Sequence, residues 1–336
     1  MNSDASAAAV VDLGVGYAGM SLKNPILTAS GTFGYGQELE GLLDVASLGG
    51  LCTKGISPAR RSGNPSPRIC ETASGMINSI GLENVGVDGF LDAKLPYLAG
   101  LTRAGSSVWV NFFGTDFDGY VECARRLAEG VAARGGGVAA LEMNISCPNV
   151  HAGGLEFGTD PAVARKLVRA CKDTLDAAGS PLRLLVKLTP NITDVVALAR
   201  AVADGGADGI TLINTLSAMA IDARKRRPRI ATIFGGLSGP AIKPVALRMV
   251  YQVHRAKVPI PICGIGGITS GEDAAEFLLA GASCVQVGTQ SFAEPGAAAR
   301  VLAELTAFCR ETKVARVADL IGALDTGDTR PPACIT

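Results

Sequence analysis

The sequence has 336 residues, of which 48% are hydrophobic and 18% are charged, so it carries enough apolar side chain for a large core. This composition excludes a disordered or fibrous chain. Lysine plus arginine and aspartate plus glutamate number 31 each, so the net charge is zero and a broad basic face for nucleic acid is not expected. Only two histidines are present, which argues against a histidine-rich metal site and a histidine-based catalytic triad.

Nine cysteines are scattered along the chain, and none of them is part of a C-x-x-C motif. We predict that most are small buried hydrophobic side chains in a reducing compartment and that the chain binds no metal. The N-terminal segment MNSDASAAAVVD lacks the basic and apolar regions of a signal peptide. The longest run without charge, 277–293, is interrupted by Gly, Ser, Gln and Thr, so it does not predict a membrane span. We therefore expect a cytoplasmic protein.

Short apolar runs alternate with longer amphipathic stretches along the chain, after a segment at 10–24 that predicts a β-hairpin. The predicted strands lie near 26–29, 49–53, 107–112, 138–144, 183–188, 208–213, 259–263 and 283–288. The predicted helices lie near 38–47, 88–101, 117–134, 160–178, 193–204, 240–256, 272–280 and 295–311, with a terminal helix at 313–323. Eight alternating strand–helix units predict one (β/α)8 barrel domain over 1–336, of the TIM-barrel type, rather than an open sheet.

The predicted connections differ in length on the two sides of the barrel. Helix-to-strand joints are short and rich in glycine, whereas strand-to-helix loops are long at 54–87, 145–159 and 214–239. In barrels of this type the strand-to-helix loops build the active site at the C-terminal ends of the strands. Functional residues are therefore expected directly after strands.

Two lysines follow or end otherwise apolar strands, Lys54 in LCTKGIS and Lys187 in LLVKLTPN. A lysine is rarely buried without a partner, so each is predicted to face an anion or an electron-rich ring at the barrel mouth.

The fourth predicted strand runs into LEMNISCPNV at 141–150, where Cys147 stands between two asparagines. One interpretation is a buried cysteine in a turn set by Pro148. The other is a thiol that acts as a general base or nucleophile beside amide donors. The decapeptide alone leaves both interpretations open.

Glycines follow the last two predicted strands, in PICGIGGI and VQVGTQSF. Gly266, Gly267, Gly288 and Thr289 follow the strands whose loops commonly bind phosphate in barrels, although simple loop glycines would look the same. No strand–GxGxxG–helix unit occurs, so nicotinamide binding by this chain is not predicted.

Asparagines also stand at strand ends, at Asn111, Asn144 and Asn214. Each of them alone could be satisfied inside the core. Together with the lysines, the cysteine and the phosphate site, they suggest a planar heterocycle held by many hydrogen bonds. FMN is the phosphate-bearing group that performs redox chemistry without metal or histidine.

A basic run, 224–229, lies in the long loop after the sixth predicted strand. It is either a solvated loop or a surface that attracts a partner or an anionic substrate.

These motifs closely resemble those of class 1 dihydroorotate dehydrogenases, and most of all the catalytic subunit of the NAD-linked class 1B form. The resemblance runs from PILTASGTFGYG at 25–36 to VGTQSF at 287–292. Its strongest landmarks are TKGIS at 53–57, NSIGLEN at 78–84, NISCPNV at 144–150, VKLTPN at 186–191 and GGLSGPAIKPVALRMVYQV at 235–253.

The resemblance implies that Cys147 is the catalytic base, which takes a proton from C5 of dihydroorotate while the C6 hydride passes to FMN, giving orotate for pyrimidine biosynthesis. The residues that match the family's substrate contacts are Lys54, Asn78, Ser79, Ile80, Gly81, Leu82, Asn144, Asn214 and Thr215. Those that match its FMN contacts are Ser30, Lys54, Gly55, Asn111, Asn144, Lys187, Ile213, Gly239, Gly266, Gly267, Gly288 and Thr289.

The same resemblance implies a homodimer of this chain that joins a partner subunit carrying FAD and a [2Fe–2S] cluster, giving a heterotetramer. Cysteine at 147 favours class 1, because quinone-linked relatives carry serine there. A fumarate-linked homodimer and a non-catalytic binding barrel are the alternatives. A dihydropyrimidine dehydrogenase is less favoured because such enzymes read SCPHG where this chain reads SCPNV.

Overall fold

The structure is a computed structural model that describes residues 10–146, 151–152 and 155–327. A closed barrel of eight parallel strands forms its centre, numbered β1 to β8 here in chain order. The strands are Ile26–Thr28, Gly50–Cys52, Ser107–Phe112, Ala140–Asn144, Arg183–Lys187, Gly209–Leu212, Ile262–Ile265 and Cys284–Val287. Each strand pairs with its neighbours in sequence, and β8 closes onto β1 where Val287 pairs with Thr28. The predicted TIM barrel is therefore confirmed.

Helices cover the outside of the barrel, which explains why the strands are buried on their outer face as well as their inner one. The helices are Gly86–Ala93 (α1), Leu95–Arg103 (α2), Phe117–Ala133 (α3), Pro161–Ala177 (α4), Val195–Asp204 (α5), Lys243–Arg255 (α6), Gly271–Leu279 (α7), Gln290–Ala293 (α8) and Ala297–Glu311 (α9). Side chains of Asp116, Asp160, Asp194 and Ser270 cap the first turns of α3, α4, α5 and α7. These caps satisfy backbone N–H groups that a helix start leaves without a partner.

The predicted N-terminal hairpin is present as Val15–Tyr17 and Met20–Leu22, and it closes the lower end of the barrel. The ring of Tyr17 stacks on Trp109 of β3 with centroids 5.1 Å apart. Its hydroxyl donates to the carbonyl of Ile210 in β6 over 2.9 Å. Substrate access is therefore left to the opposite end of the barrel, where the long loops lie.

A second sheet, which the sequence did not predict, is built from the loops that follow β2 and β6. Its antiparallel strands lie in the order Leu216–Met219, Phe234–Ser238, Gly75–Asn78 and Ile69–Thr72. Gly236 pairs with Asn78, so residues far apart in sequence become neighbours. Two short hairpins, Ile221–Asp222 with Arg227–Pro228 and His151–Ala152 with Leu155–Glu156, complete the loops.

Several predicted boundaries were wrong, each for a local reason. The helix predicted at 38–47 is two 3-10 turns, Gln37–Leu39 and Val45–Ser47, because Gly36 and Gly41 adopt positive φ values of 86° and 85°. The terminal helix predicted at 313–323 is a single 3-10 turn, Val317–Leu320, because Lys313 and Gly322 at its two ends adopt positive φ values of 60° and 70°.

Two further predictions needed adjustment. The helix predicted at 88–101 is divided between α1 and α2, with Pro96 in the first turn of α2. The seventh strand begins at Ile262 rather than 259, since Pro259 and Pro261 have no N–H to donate.

The cysteines behave as expected in the part of the chain that the structure describes, where all of them are buried and free. No helix among the described residues is long and apolar enough to cross a membrane.

Candidate active site

The predicted site residues that the structure describes all lie at the C-terminal part of a barrel strand or in a loop that follows one. Asn111, Asn144 and Lys187 are in β3, β4 and β5 themselves. The others follow β1, β2, β6, β7 and β8. Cys147, the predicted base, lies outside the described residues. The barrel therefore brings the described part of the set to one end, as the asymmetry of the connections suggested.

Two asparagines meet at the mouth. Asn214 Nδ2 donates to Asn144 Oδ1 over 3.2 Å, and the backbone N–H of Ser146 donates to the same oxygen over 3.1 Å. Asn214 Oδ1 in turn accepts from the backbone N–H of Thr215 over 2.8 Å. Asn144 Nδ2 donates to none of the described residues. The contacts thus orient the Asn144 amide and leave its N–H₂ group available to a ligand.

Glu142 is the centre of a buried polar network just below this mouth, and the sequence interpretation missed it. Its side chain is 0% exposed. Oε1 accepts from Asn111 Nδ2 over 2.8 Å and from Cys52 Sγ over 3.2 Å. Oε2 accepts from Thr211 Oγ1 over 2.8 Å and from Gln286 Nε2 over 2.9 Å. Strands β2, β3, β4, β6 and β8 are joined through this one carboxyl group.

Lys187 lies beside this network, with Nζ 4.0 Å from Glu142 Oε1. Burial alone would raise the pKa of Glu142, but the Lys187 ammonium and the hydrogen bonds from Gln286, Asn111 and Thr211 outweigh it, so the pKa lies below the ordinary glutamate value. Glu142 is therefore a carboxylate. The signal was present in the sequence, because a charged residue inside the apolar run LEMN invites the same argument that singled out Lys187.

Lys54 follows β2, and its backbone N–H donates to the carbonyl of Gly34 over 2.9 Å, which joins the loops after β1 and β2. Its side chain is partly buried and forms no ion pair with the described residues. Burial lowers the pKa of Lys54 below the ordinary lysine value, although the Glu83 carboxylate opposes this. A half-buried cation without an ion pair is suited to binding an anionic ligand.

The glycine-rich ends of β7 and β8 present unpaired donors. Within the described part of the chain, the backbone N–H groups of Gly266, Gly267, Gly288 and Thr289 donate to no acceptor. Gly267 adopts φ 73°, and a Cβ there would lie 2.8 Å from the carbonyl oxygen of Gly239. Such a group of N–H donors on close-packed glycine loops fits a phosphate, which is the group that the predicted FMN would present to them.

The segment from Asn78 to Leu82, predicted to contact substrate, lies in the loop after β2 and is bonded both to other parts of that loop and to the loop after β6. Ser79 N–H donates to the carbonyl of Arg68 over 2.7 Å, and Asn64 N–H donates to the carbonyl of Ile80 over 3.0 Å. Asn78 Nδ2 reaches the carbonyl of Gly236 over 3.3 Å. The Ser79 hydroxyl is buried without a hydrogen-bond partner among the described residues, so it is available to a ligand.

The remaining predicted contacts connect these groups. A Cβ on Gly55 would lie 2.7 Å from Asn111 Oδ1, so the chain after β2 passes close to β3. Thr289 Oγ1 donates to Ser238 Oγ over 2.8 Å, which links the end of β8 to the second sheet. The backbone of Ser30 lies beside the Cys52 thiol, and Ile213 N–H donates to the carbonyl of Ile265 over 2.9 Å.

Comparisons with known proteins agree with this geometry. The family model described as dihydroorotate dehydrogenase matches residues 12–309. A protein of Pelobacter propionicus named dihydroorotate dehydrogenase B (NAD(+)), catalytic subunit, is 54% identical over 94% of this chain and 99% of its own length. A protein of the same name from Geobacter sp. strain M21 is 52% identical over 94% of this chain and 98% of its own length. The resemblance seen in the motifs is thereby confirmed, and the chain belongs to the dihydroorotate dehydrogenase family.

Proposed function

We propose that this chain is the catalytic subunit of an NAD-linked dihydroorotate dehydrogenase and that it oxidises (S)-dihydroorotate to orotate in pyrimidine biosynthesis. The observation that carries the proposal is the barrel mouth, which holds the Asn144 amide, the Lys187 ammonium and, after β7 and β8, backbone N–H groups that donate to none of the described residues. The whole chain acts in this proposal as one FMN-binding barrel domain.

FMN would be held by the loops after β6, β7 and β8 and by polar groups at the ends of β3 and β5. Free N–H groups bind a phosphate dianion without any need for a side-chain cation. Bound FMN supplies the acceptor for the substrate hydride. Lys187 would place its ammonium where negative charge grows on the flavin ring. The barrel interior would keep water away from the contact between this ammonium and the ring. Asn111 is fixed by its bond to Glu142 and so presents a defined amide orientation.

The substrate would be held by Lys54, by the segment from Asn78 to Leu82, and by the Asn144, Asn214 and Thr215 group. Dihydroorotate carries a carboxylate and ring amides, so it needs a cation together with both donors and acceptors. Lys54 offers the cation, and the Asn144 N–H₂ group and the Ser79 hydroxyl, neither of which has a partner within the described part of the chain, offer hydrogen bonds. Each of these groups would lose a water partner and regain a ligand partner on binding.

Cys147 would take the proton from C5 of the substrate. This assignment is supported by the place of the residue three positions beyond Asn144, at the end of β4, and by the family resemblance. A positioned general base is typically worth about 10²–10⁴-fold in rate.

The electrons would leave through a separate subunit. The relatives are named catalytic subunits of an NAD(+) enzyme, which supports a partner subunit, and the resemblance of the motifs implies that this partner carries FAD and a [2Fe–2S] cluster. The described cysteines are each buried and free, and no C-x-x-C motif occurs, so the cluster would belong to the partner. A dimer of this barrel with one partner on each copy gives the heterotetramer. The free thiols of the described cysteines support a reducing compartment such as the cytoplasm.

The acceptor distinguishes the proposal from its alternative. The purified chain, loaded with FMN, is given dihydroorotate together with a dye, NAD or fumarate, and orotate is measured. We expect the chain by itself to produce orotate when the acceptor is the dye. With NAD as the acceptor, we expect orotate only after the partner subunit is added. Efficient NAD reduction by the chain alone would contradict the proposal, and efficient fumarate reduction would favour the homodimeric oxidase instead.

A further inference from the structure

The ion pair inside the barrel has an unusual balance of contacts. Both side chains are buried, Glu142 at 0% exposed and Lys187 at 5% exposed. Glu142 receives hydrogen bonds from Asn111, Cys52, Thr211 and Gln286. Lys187 Nζ lies 4.0 Å from Glu142 Oε1 and donates no hydrogen bond to any of the described residues. Both oxygens of the carboxylate accept hydrogen bonds, whereas the ammonium has a counter-charge but no hydrogen-bond acceptor within the described ranges. Its donors are therefore left for a group above it.

The register of the strands orders the two charges along the barrel. Lys187 pairs with Asn144, and Glu142 pairs with Leu185, so Glu142 lies one inward-facing position deeper than Lys187. The ammonium is thus on the mouth side of the pair. A ligand at the mouth experiences the positive charge of Lys187 reduced by the negative charge behind it.

The donors to Glu142 are all neutral. Asn111 and Gln286 are amides, Thr211 is a hydroxyl, and burial raises the pKa of the Cys52 thiol well above its ordinary value. Since none of them carries charge, Glu142 is the carboxylate that compensates Lys187 among the described residues. Leaving a buried ammonium without a counter-ion is strongly unfavourable, so the position of Lys187 depends on Glu142.

We propose that Glu142 is a positioning residue for Lys187, and that its negative charge lowers the reduction potential of the flavin bound at the barrel mouth. The inference rests on the proposed function in one respect, namely that the cofactor is a flavin. The negative charge of Glu142 disfavours electron density on the ring, because it reduces, without cancelling, the positive field of the nearer Lys187. Glu142 touches neither substrate nor cofactor in this scheme and acts only through Lys187 and the field of its own charge.

The first test is the midpoint potential of the bound flavin in Glu142→Gln, measured by reductive titration against reference dyes. Glutamine keeps the size of the side chain and removes its charge. We expect the ratio of reduced to oxidised flavin at a fixed potential to rise about tenfold, which is ~30 mV for a two-electron couple. Glu142→Asp, which keeps the charge, should return the potential toward that of the unmodified protein. Thr211→Val is the matched control, because it removes one neutral donor to the same carboxylate and should leave the potential in place.

The outcomes separate a charge effect from a packing effect. An unchanged potential in Glu142→Gln with flavin still bound overturns the proposal. An equal shift of the midpoint potential in Thr211→Val also overturns it, because loss of one hydrogen bond to Glu142 would then change the potential without any change of charge.

A second measurement applies even where Glu142→Gln folds poorly or binds no flavin. The melting temperatures of Glu142→Gln, Lys187→Met and the double variant form a mutant cycle that needs no cofactor. If Glu142 serves as the counter-ion of Lys187, the double variant should melt higher than Glu142→Gln alone. A double variant that melts no higher shows that Glu142 serves only its hydrogen-bond donors, and the proposal fails. Dihydroorotate oxidation by the unmodified chain tests the proposed function separately.

Discussion

Replacement of Gly267 by alanine tests the phosphate-binding role of the loops after β7 and β8. Gly267 adopts φ 73°, and an added Cβ would lie 2.8 Å from the carbonyl oxygen of Gly239 and 2.9 Å from Cβ of Lys243. The backbone conformation alone costs an alanine roughly 1–2 kcal/mol. The contact with Gly239 is a further cost, because a backbone carbonyl cannot rotate away as a side-chain end can. The loops after β6 and β7 must therefore move apart.

That movement should weaken FMN binding, since both loops are expected to hold the cofactor. Loss of a single hydrogen bond to a charged group costs about 1.5–3 kcal/mol, which is at least roughly tenfold in affinity. Gly179→Ala is the matched control. Gly179 adopts φ 60° after α4, and a Cβ there would meet nothing within 4 Å. It shares the conformational cost without the collision and lies away from the barrel mouth.

The assay is titration of the cofactor-free protein with FMN, with the dissociation constant taken from flavin fluorescence, together with urea unfolding in the absence of FMN. Gly179→Ala should lose about 1–2 kcal/mol of stability, and Gly267→Ala should lose more because its Cβ also meets the carbonyl of Gly239. Only Gly267→Ala should bind FMN at least roughly tenfold more weakly. Equal dissociation constants for the two variants and the unmodified chain would refute the assignment of the phosphate to these loops.

Cys147→Ala should retain FMN and lose about 10²–10⁴-fold in turnover, and Cys147→Ser should recover part of the rate at high pH. If the steady-state rate of the alanine variant is near that of the unmodified chain, Cys147 is not the catalytic base. Burial lowers the pKa of Lys54, so its charge is lost at a lower pH than that of an ordinary lysine. The KM for dihydroorotate should therefore rise as pH climbs through that lowered pKa, and Lys54→Arg, which stays charged, should remove this rise. An identical pH profile of KM in both proteins would show that Lys54 does not bind the carboxylate.

The barrel and most of its mouth could be predicted from the sequence, because they depend on local patterns. Each strand is a short apolar run and each helix a longer amphipathic one, and eight such units in succession leave a closed barrel as the natural parallel arrangement. The C-terminal ends of the strands lie at one face, so the sequence alone placed Lys187, Asn144 and Gly267 at the same end of the barrel. The boundaries that were wrong, at 38–47 and 313–323, lie where a backbone turn interrupts an otherwise helical pattern.

Only the tertiary structure decided which distant residues pair with one another. Nothing in the loops after β2 and β6 indicates that Asn78 lies opposite Gly236, because hydrophobic periodicity records whether a side chain is buried and not what covers it. The same limit applies to Lys187, whose burial the sequence indicated but whose partner it did not. Glu142 became that partner because β4 and β5 are neighbours in register and because donors from four other strands converge on its carboxylate. The charge of a residue can be read from the sequence, but its compensation depends on distances that exist only once the barrel has closed.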